Sequence, residues 1–237
     1  MLRWSHLYIA IVAAFAVVCA PAKEPRTPAS AVTPEVKNPE RHQAFLKRIQ
    51  EGPVGLLFLG DSITDFWPGR SPETWAKFAP YQPANFGISG DRTEHLLWRL
   101  QNGELEGIAP KAVVILIGTN NIGHFDDEKP AWAVEGVREV VGTVRSRLPD
   151  ARVLLLAVFP RGATREVPKR RMVEEINAGL KGLADGDRVV FLDLSDRFVD
   201  AEGKLRKELM PDALHPSAEG YRVWFEGMWP VLEPMLR

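Results

Sequence analysis

Apolar residues along this chain follow two alternating rhythms. Short apolar runs stand at residues 56–59, 84–88, 112–117, 153–159 and 189–194. Runs of that length predict strands, and the unbroken runs 56–59 and 112–117 predict strands buried on both faces of a parallel sheet. Between them apolar residues recur at the spacing of one helix face. Phe45, Leu46 and Ile49 mark a helix over 40–50, and Leu96, Leu97 and Leu100, with Trp98 beside them, one over 93–101. Trp132, Val137, Val140, Val141 and Val144 mark a long helix over 130–148, and Met172, Val173, Ile176 and Leu180 one over 168–183. Tyr221, Trp224, Phe225 and Met228 mark a closing helix over 218–236, and Trp75 and Phe78 turn inward from a short one over 72–79. Gly52-Pro53 stops the first helix before the first strand begins.

Five strands alternating with helices predict an α/β fold of three layers, a five-stranded parallel sheet between helices joined by right-handed crossovers. No repeat or second core interrupts the pattern, so residues 40–237 form one domain. In such a sheet the loops after successive strands open on one edge, where α/β folds place their ligands.

The amino-terminus departs from this pattern. Arg3 precedes an apolar run over 7–20 that ends in small residues, too short to span a membrane and flanked like a secretory signal. Residues 1–22 are read as that signal, with cleavage after Ala20 or Ala22. Cys19 is the one cysteine of the chain, so processing leaves no thiol and no disulfide. A lipid-bearing Cys19 is the alternative, against which Val18 stands, because lipoprotein signals place a small residue there. Residues 23–39, rich in Pro, Ala, Thr and Lys, read as a flexible lead-in. The expected product is secreted or periplasmic, with no stable membrane association after processing. A formal net charge of −1 supplies no basic field for nucleic acid. Lys169-Arg170-Arg171 reads as a solvated helix face.

Candidate chemistry gathers on the predicted edge. Ser62 follows the first strand in Gly60-Asp61-Ser62, Gly90 lies in the loop after the second, Asn120 follows the third, and Asp212-Ala213-Leu214-His215 comes late. Each has a plain role open to it: Ser62 as a helix cap, Asp212 or Asn120 as a turn brace, Gly90 as a turn glycine, His215 as a satisfied polar residue. Together they match acyl transfer at a serine, which needs a base, a carboxylate to orient it, and donors for the oxyanion. The three-residue spacing lets Asp212 hold one imidazole nitrogen while the other faces Ser62. The Ser62 N–H, the Gly90 N–H and the Asn120 side-chain amide are the candidate donors. His124 and Arg161 follow the third and fourth strands and are candidate substrate contacts. Neither histidine pairs at metal-ligand spacing nor phosphate-binding glycine motifs occur, so no metal and no cofactor are expected.

These blocks resemble the SGNH, or GDSL-type, esterase superfamily, and within it the catalytic subunits of the type I platelet-activating-factor acetylhydrolases. The resemblance rests on Gly60-Asp61-Ser62, on residues 85–91 with 97–100 and 102–106 after them, on Gly118-Thr119-Asn120-Asn121, on Pro160-Arg161-Gly162, and on Asp212 with His215-Pro216. It implies a flavodoxin-like sheet, Ser62 as nucleophile, His215 as base with Asp212 as its partner, and Ser62, Gly90 and Asn120 as oxyanion donors. It also hints at a homodimer. The export signal departs from the cytosolic acetylhydrolases. The expected activity is removal of short acyl groups, acetyl first, from a small-molecule or glycan ester. A lysophospholipase or thioesterase on the same site, or a non-catalytic carbohydrate- or partner-binding module, are the rivals.

Overall fold

A computed structural model describes residues 24–237, and the expected signal sequence and Cys19 lie outside the described residues. The first helix, α1 (Pro39–Gln50), begins where the Asn38 side chain accepts the Arg41 N–H, and it leads into β1 (Leu56–Gly60). Three short helices follow: α2 (Ser62–Asp65), α3 (Trp67–Arg70) and α4 (Pro72–Ala76). Then come β2 (Pro83–Gly87), α5 (Thr93–Gln101), β3 (Ala112–Leu116), α6 (Thr119–His124) and α7 (Pro130–Arg147). The chain closes with β4 (Arg152–Leu156), α8 (Pro168–Lys181), β5 (Val189–Leu192) and α9 (Ala218–Leu232).

All five strands pair in parallel, in the order β2-β1-β3-β4-β5. The β1, β3 and β4 runs are apolar without alternation because both faces are covered. Leu57, Leu59, Val113, Ile115, Val153 and Leu155 pack under α1, α5, α7 and α8. Leu56, Phe58, Val114, Leu116, Leu154 and Leu156 face the opposite layer, built from α3, α4 and α9 around Trp67, Phe78 and Trp224. The predicted three-layer α/β sandwich is the fold.

Strand order reverses direction between β1 and β3. Ser62 follows β1 and Asn120 follows β3, so both sit where the connections diverge to opposite faces and leave a crevice.

Residues 24–38 differ from the expected flexible lead-in: they lie against the domain. Ala31 is fully buried, and its carbonyl accepts the Thr93 hydroxyl at 2.8 Å. Arg26 forms ion pairs with buried Glu94 at 2.8 Å and Glu128 at 2.6 Å. Composition alone missed this because the partners are distant in sequence. Among the described residues no helix is long and apolar enough to cross a membrane.

Candidate active site

The turn that carries Ser62 is shaped by close packing. A Cβ on Gly60 would lie 2.5 Å from the Leu116 carbonyl, so only glycine lets β1 end beside β3. Asp61 then caps α2, its Oδ1 accepting the Ile63 N–H at 2.9 Å. The capping role therefore belongs to Asp61, and the Ser62 hydroxyl is free for another partner. The Tyr221 hydroxyl of α9 donates to the Ile63 carbonyl at 2.7 Å and fixes the short helix from the other layer.

That partner is His215. Ser62 Oγ lies 2.9 Å from His215 Nε2, and His215 Nδ1 lies 2.6 Å from Asp212 Oδ2. Asp212 Oδ1 also accepts the N–H groups of Leu214 at 3.1 Å and His215 at 2.7 Å. Partial burial pushes the Asp212 carboxyl up, but the His215 backbone and side-chain bonds outweigh it and hold the group below its ordinary value. An ionised Asp212 favours the tautomer with the proton on Nδ1, leaving Nε2 to accept from Ser62. The turn is held in an unusual shape. Ala213 has φ +58°, a left-handed conformation costing roughly 1–2 kcal/mol for a residue with a Cβ. Its carbonyl accepts the Gly162 N–H at 2.9 Å, and its own N–H donates to Met210 at 3.0 Å. Phe66 stands 5.4 Å from the His215 ring, and Arg70 covers Phe66 while donating to the Pro216 carbonyl at 3.1 Å.

Gly90 and Asn120 follow β2 and β3. Gly90 has φ +76°, a conformation that favours glycine. Asn120 is buried on α6, where a short helix forms rather than the expected loop, and its Nδ2 donates to the Asp91 carbonyl at 2.9 Å. That bond uses one of the two amide hydrogens and leaves the other as a donor. Asp91 is fully buried and bonded to Arg99 Nε at 3.1 Å, and Arg99 also donates to Glu104 and to the Phe86 carbonyl. His42 Nδ1 stands 3.2 Å from Glu104 and completes the chain of contacts. Burial raises the Asp91 carboxyl, against the pull of Arg99 and Lys37.

His124 is exposed, with its Cε1 3.8 Å from where a Gly90 Cβ would stand. Arg161 reaches the same region, with Nη1 donating to the Thr119 carbonyl at 2.7 Å and hydroxyl at 3.1 Å. The structure thus brings Ser62, His215 and Asp212 into one hydrogen-bonded line, and it sets His124 beside Gly90, Asn120 on the Asp91 carbonyl and Arg161 on Thr119. Arg170 is a correction: it is buried rather than solvated, donating to the Arg161, Gly162 and Gly203 carbonyls, so it braces the loop that holds Ala213. Lys169 likewise bonds the Ile122 and Phe125 carbonyls. Asp61 was legible only as a motif letter; it is wholly buried, and burial above all pushes its carboxyl up to about 7. Glu35, Glu94 and His95 hold ligand-type atoms within 4.8 Å of one another, but Arg26 and Arg92 already pair with Glu94, which makes this a charge network rather than a vacant cation cage.

The model of the GDSL-like Lipase/Acylhydrolase family matches residues 58–223. The chain is 37% identical over 203 residues to human platelet-activating factor acetylhydrolase IB subunit alpha1, covering 85% of this chain and 84% of the human one. It is 35% identical over 183 residues to the mouse alpha2 subunit, covering 76% and 77% of the two chains. A GDSL-like lipase from Bacteroides thetaiotaomicron superposes with a TM-score of 0.69 at 20% identity, covering 81% of this chain and 97% of that one. An acetylxylan esterase from Geobacillus stearothermophilus does so with a TM-score of 0.60 at 21% identity, covering 76% and 95%. Those two likenesses establish the shared fold.

Proposed function

The chain belongs to the GDSL-like lipase/acylhydrolase family and is a carboxylic ester hydrolase, and we propose that it removes short acyl groups, acetyl first, from a hydroxyl-bearing substrate through an acyl-enzyme on Ser62. The observation that carries the proposal is the unbroken line from Ser62 Oγ to His215 Nε2 at 2.9 Å and from Nδ1 to Asp212 at 2.6 Å. His215 Nε2 takes the Ser62 proton as Oγ attacks the ester carbonyl. The tetrahedral oxyanion accepts from the Ser62 N–H, the Gly90 N–H and the Asn120 amide. His215 then protonates the leaving alcohol, and the acyl group stays on Ser62. Water, deprotonated by the same nitrogen, attacks the acyl-enzyme, and His215 returns that proton to Ser62 Oγ as the acid leaves. General base action contributes typically 10²–10⁴-fold, and each oxyanion donor about 10²–10³-fold.

Acetyl is favoured by two observations. The relatives at 35–37% identity are named as acetylhydrolases. The elements around Ser62 carry polar side chains, Ser89, Asn120 and Arg161, and each methylene of a longer chain would need its own buried contact to contribute about 0.8 kcal/mol. A hydrophilic alcohol, such as an acetylated glycan, suits the same surface. Export belongs to the proposal and rests on Arg3 with the apolar run over 7–20.

The test compares p-nitrophenyl esters from acetate to palmitate by kcat/KM, with Ser62→Ala alongside. The expected result is a maximum at acetate or propionate and a well-folded, inactive S62A. A maximum at octanoate or beyond would refute the short-acyl assignment, and an active S62A would refute the nucleophile.

A further inference from the structure

The oxyanion donors do not hold themselves in place. Gly90 lies in a loop, residues 88–92, whose conformation is glycine-dependent, and Asn120 is oriented by the carbonyl of Asp91 in that same loop. Two of the three donors therefore depend on where this loop sits. From below, Arg99 holds it through the Asp91 carboxylate. A second cation, Lys37, reaches it from the amino-terminal segment.

Lys37 Nζ donates to the Ser89 carbonyl at 2.6 Å and to Asp91 Oδ1 at 3.3 Å. A Cβ added to Gly90 would lie 2.9 Å from the same nitrogen, so the ammonium rests directly on the glycine between its two partners. Lys37 is itself fixed. It immediately precedes Asn38, which caps α1, and Arg41 in the first turn of α1 donates to Asp65 at 2.7 Å and to the Gly87 carbonyl at 3.3 Å. Upstream, the Glu35 N–H donates to the Glu94 carbonyl at 3.1 Å. Farther back, Arg26 is clamped by Glu94 and Glu128, and its guanidinium stands 4.6 Å over the Phe125 ring, just past the helix that carries Asn120. The segment thus crosses both loops that supply oxyanion donors.

We propose that residues 24–38 form a strap over the oxyanion loops and that Lys37 is a positioning residue, holding Ser89, Gly90 and Asp91 so that the Gly90 N–H and the Asn120 amide converge on one point. The bond to the Ser89 carbonyl sets the peptide plane just before Gly90, and the bond to Asp91 steadies the residue whose carbonyl orients Asn120. Transition-state charge is stabilised only by donors already aimed at it, so a small displacement of this loop weakens turnover more than substrate binding. This inference rests on the serine-esterase assignment of the site and extends it to a segment outside the sheet and its helices.

The experiment makes Lys37→Met, Lys37→Arg and Ser62→Ala in the full chain. It measures kcat and KM on p-nitrophenyl acetate, inhibition by butaneboronic acid, which forms a tetrahedral adduct on a serine, and the Tm of each variant. Lys37 is partly exposed, so the folded state should survive its replacement. The expected result for K37M is a kcat lowered about tenfold, a KM within twofold of the parent, and boronate affinity weakened by a similar factor. K37R should recover most of the loss, because its guanidinium can reach the same two oxygens. Parental kcat and boronate affinity in K37M, with S62A inactive, would overturn the strap while leaving the nucleophile intact. Loss of activity that tracks a fall in Tm and is not recovered by arginine would overturn it too. An S62A variant as active as the parent would remove the esterase assignment and the strap with it.

Discussion

Replacing Asn120 by alanine separates two roles that one side chain fills. Its amide donates to the Asp91 carbonyl at 2.9 Å in a buried setting, and the remaining N–H is the proposed oxyanion donor. The first role has a stability cost. A buried carbonyl left without its donor costs about 1–3 kcal/mol, and for a chain of this size each kcal/mol moves Tm by about 2–4 °C. A fall in Tm of about 2–12 °C follows. The second role is catalytic, and losing one oxyanion donor lowers kcat by about 10²–10³-fold, equivalent to roughly 2.7–4 kcal/mol of transition-state stabilisation. KM should stay within a few-fold of the parent, because the ground-state carbonyl gains little from this donor. Calorimetry and steady-state hydrolysis of p-nitrophenyl acetate measure both, with S62A setting the background. Parental kcat with a lowered Tm would show that Asn120 only braces the Asp91 loop. A raised KM with unchanged kcat would show that it only binds substrate. Either result would refute the donor assignment.

Arg99→Met leaves Asp91 and Glu104 buried without their shared cation, which costs about 3–5 kcal/mol, so thermal unfolding by circular dichroism should fall by about 6–20 °C; a fall under about 2 °C would refute the network's structural role. Asp61, with its carboxyl raised to about 7 chiefly by burial, keeps in the folded state a proton that the unfolded chain has lost, so its contribution to stability declines as pH rises from about 4 to about 7. Relative to Asp61→Asn, the parent should therefore lose stability to urea across that window; His95, held at about 3 by burial and by Arg92, has the opposite slope in both proteins and cancels. Equal pH dependence in the two proteins would show that Asp61 is ionised throughout. Mass spectrometry of the product from its natural host should find a chain starting near Pro21 or Lys23, and an intact Met1 or a lipid on Cys19 would overturn the soluble, secreted product.

Periodicity was sufficient for the sheet and its covering helices, because burial on both faces leaves a signature that depends only on local sequence: unbroken runs such as Ala-Val-Val-Ile-Leu in β3 and a four-residue rhythm in α8. The residue types of the site were legible for a related reason. Serine, histidine and aspartate each have a restricted chemistry, and Asp212 and His215 are near enough in sequence for one turn to join them. Strand order was not written in any run, since it depends on which strands pair across crossovers, and only the observed order places Ser62 and Asn120 at one reversal point. Distant charge pairing was equally hidden. Arg26 finds Glu128 and Lys37 finds Asp91 across long stretches of chain, so a segment whose composition reads as mobile packs against the domain. The same holds for Arg170, solvated by its neighbours in sequence but buried by the carbonyls that the fold brings around it. Sequence determines the elements and their chemistry where the cause is local; tertiary structure alone decides which polar groups are desolvated together, because a charge is buried only where distant parts of the chain supply its partner.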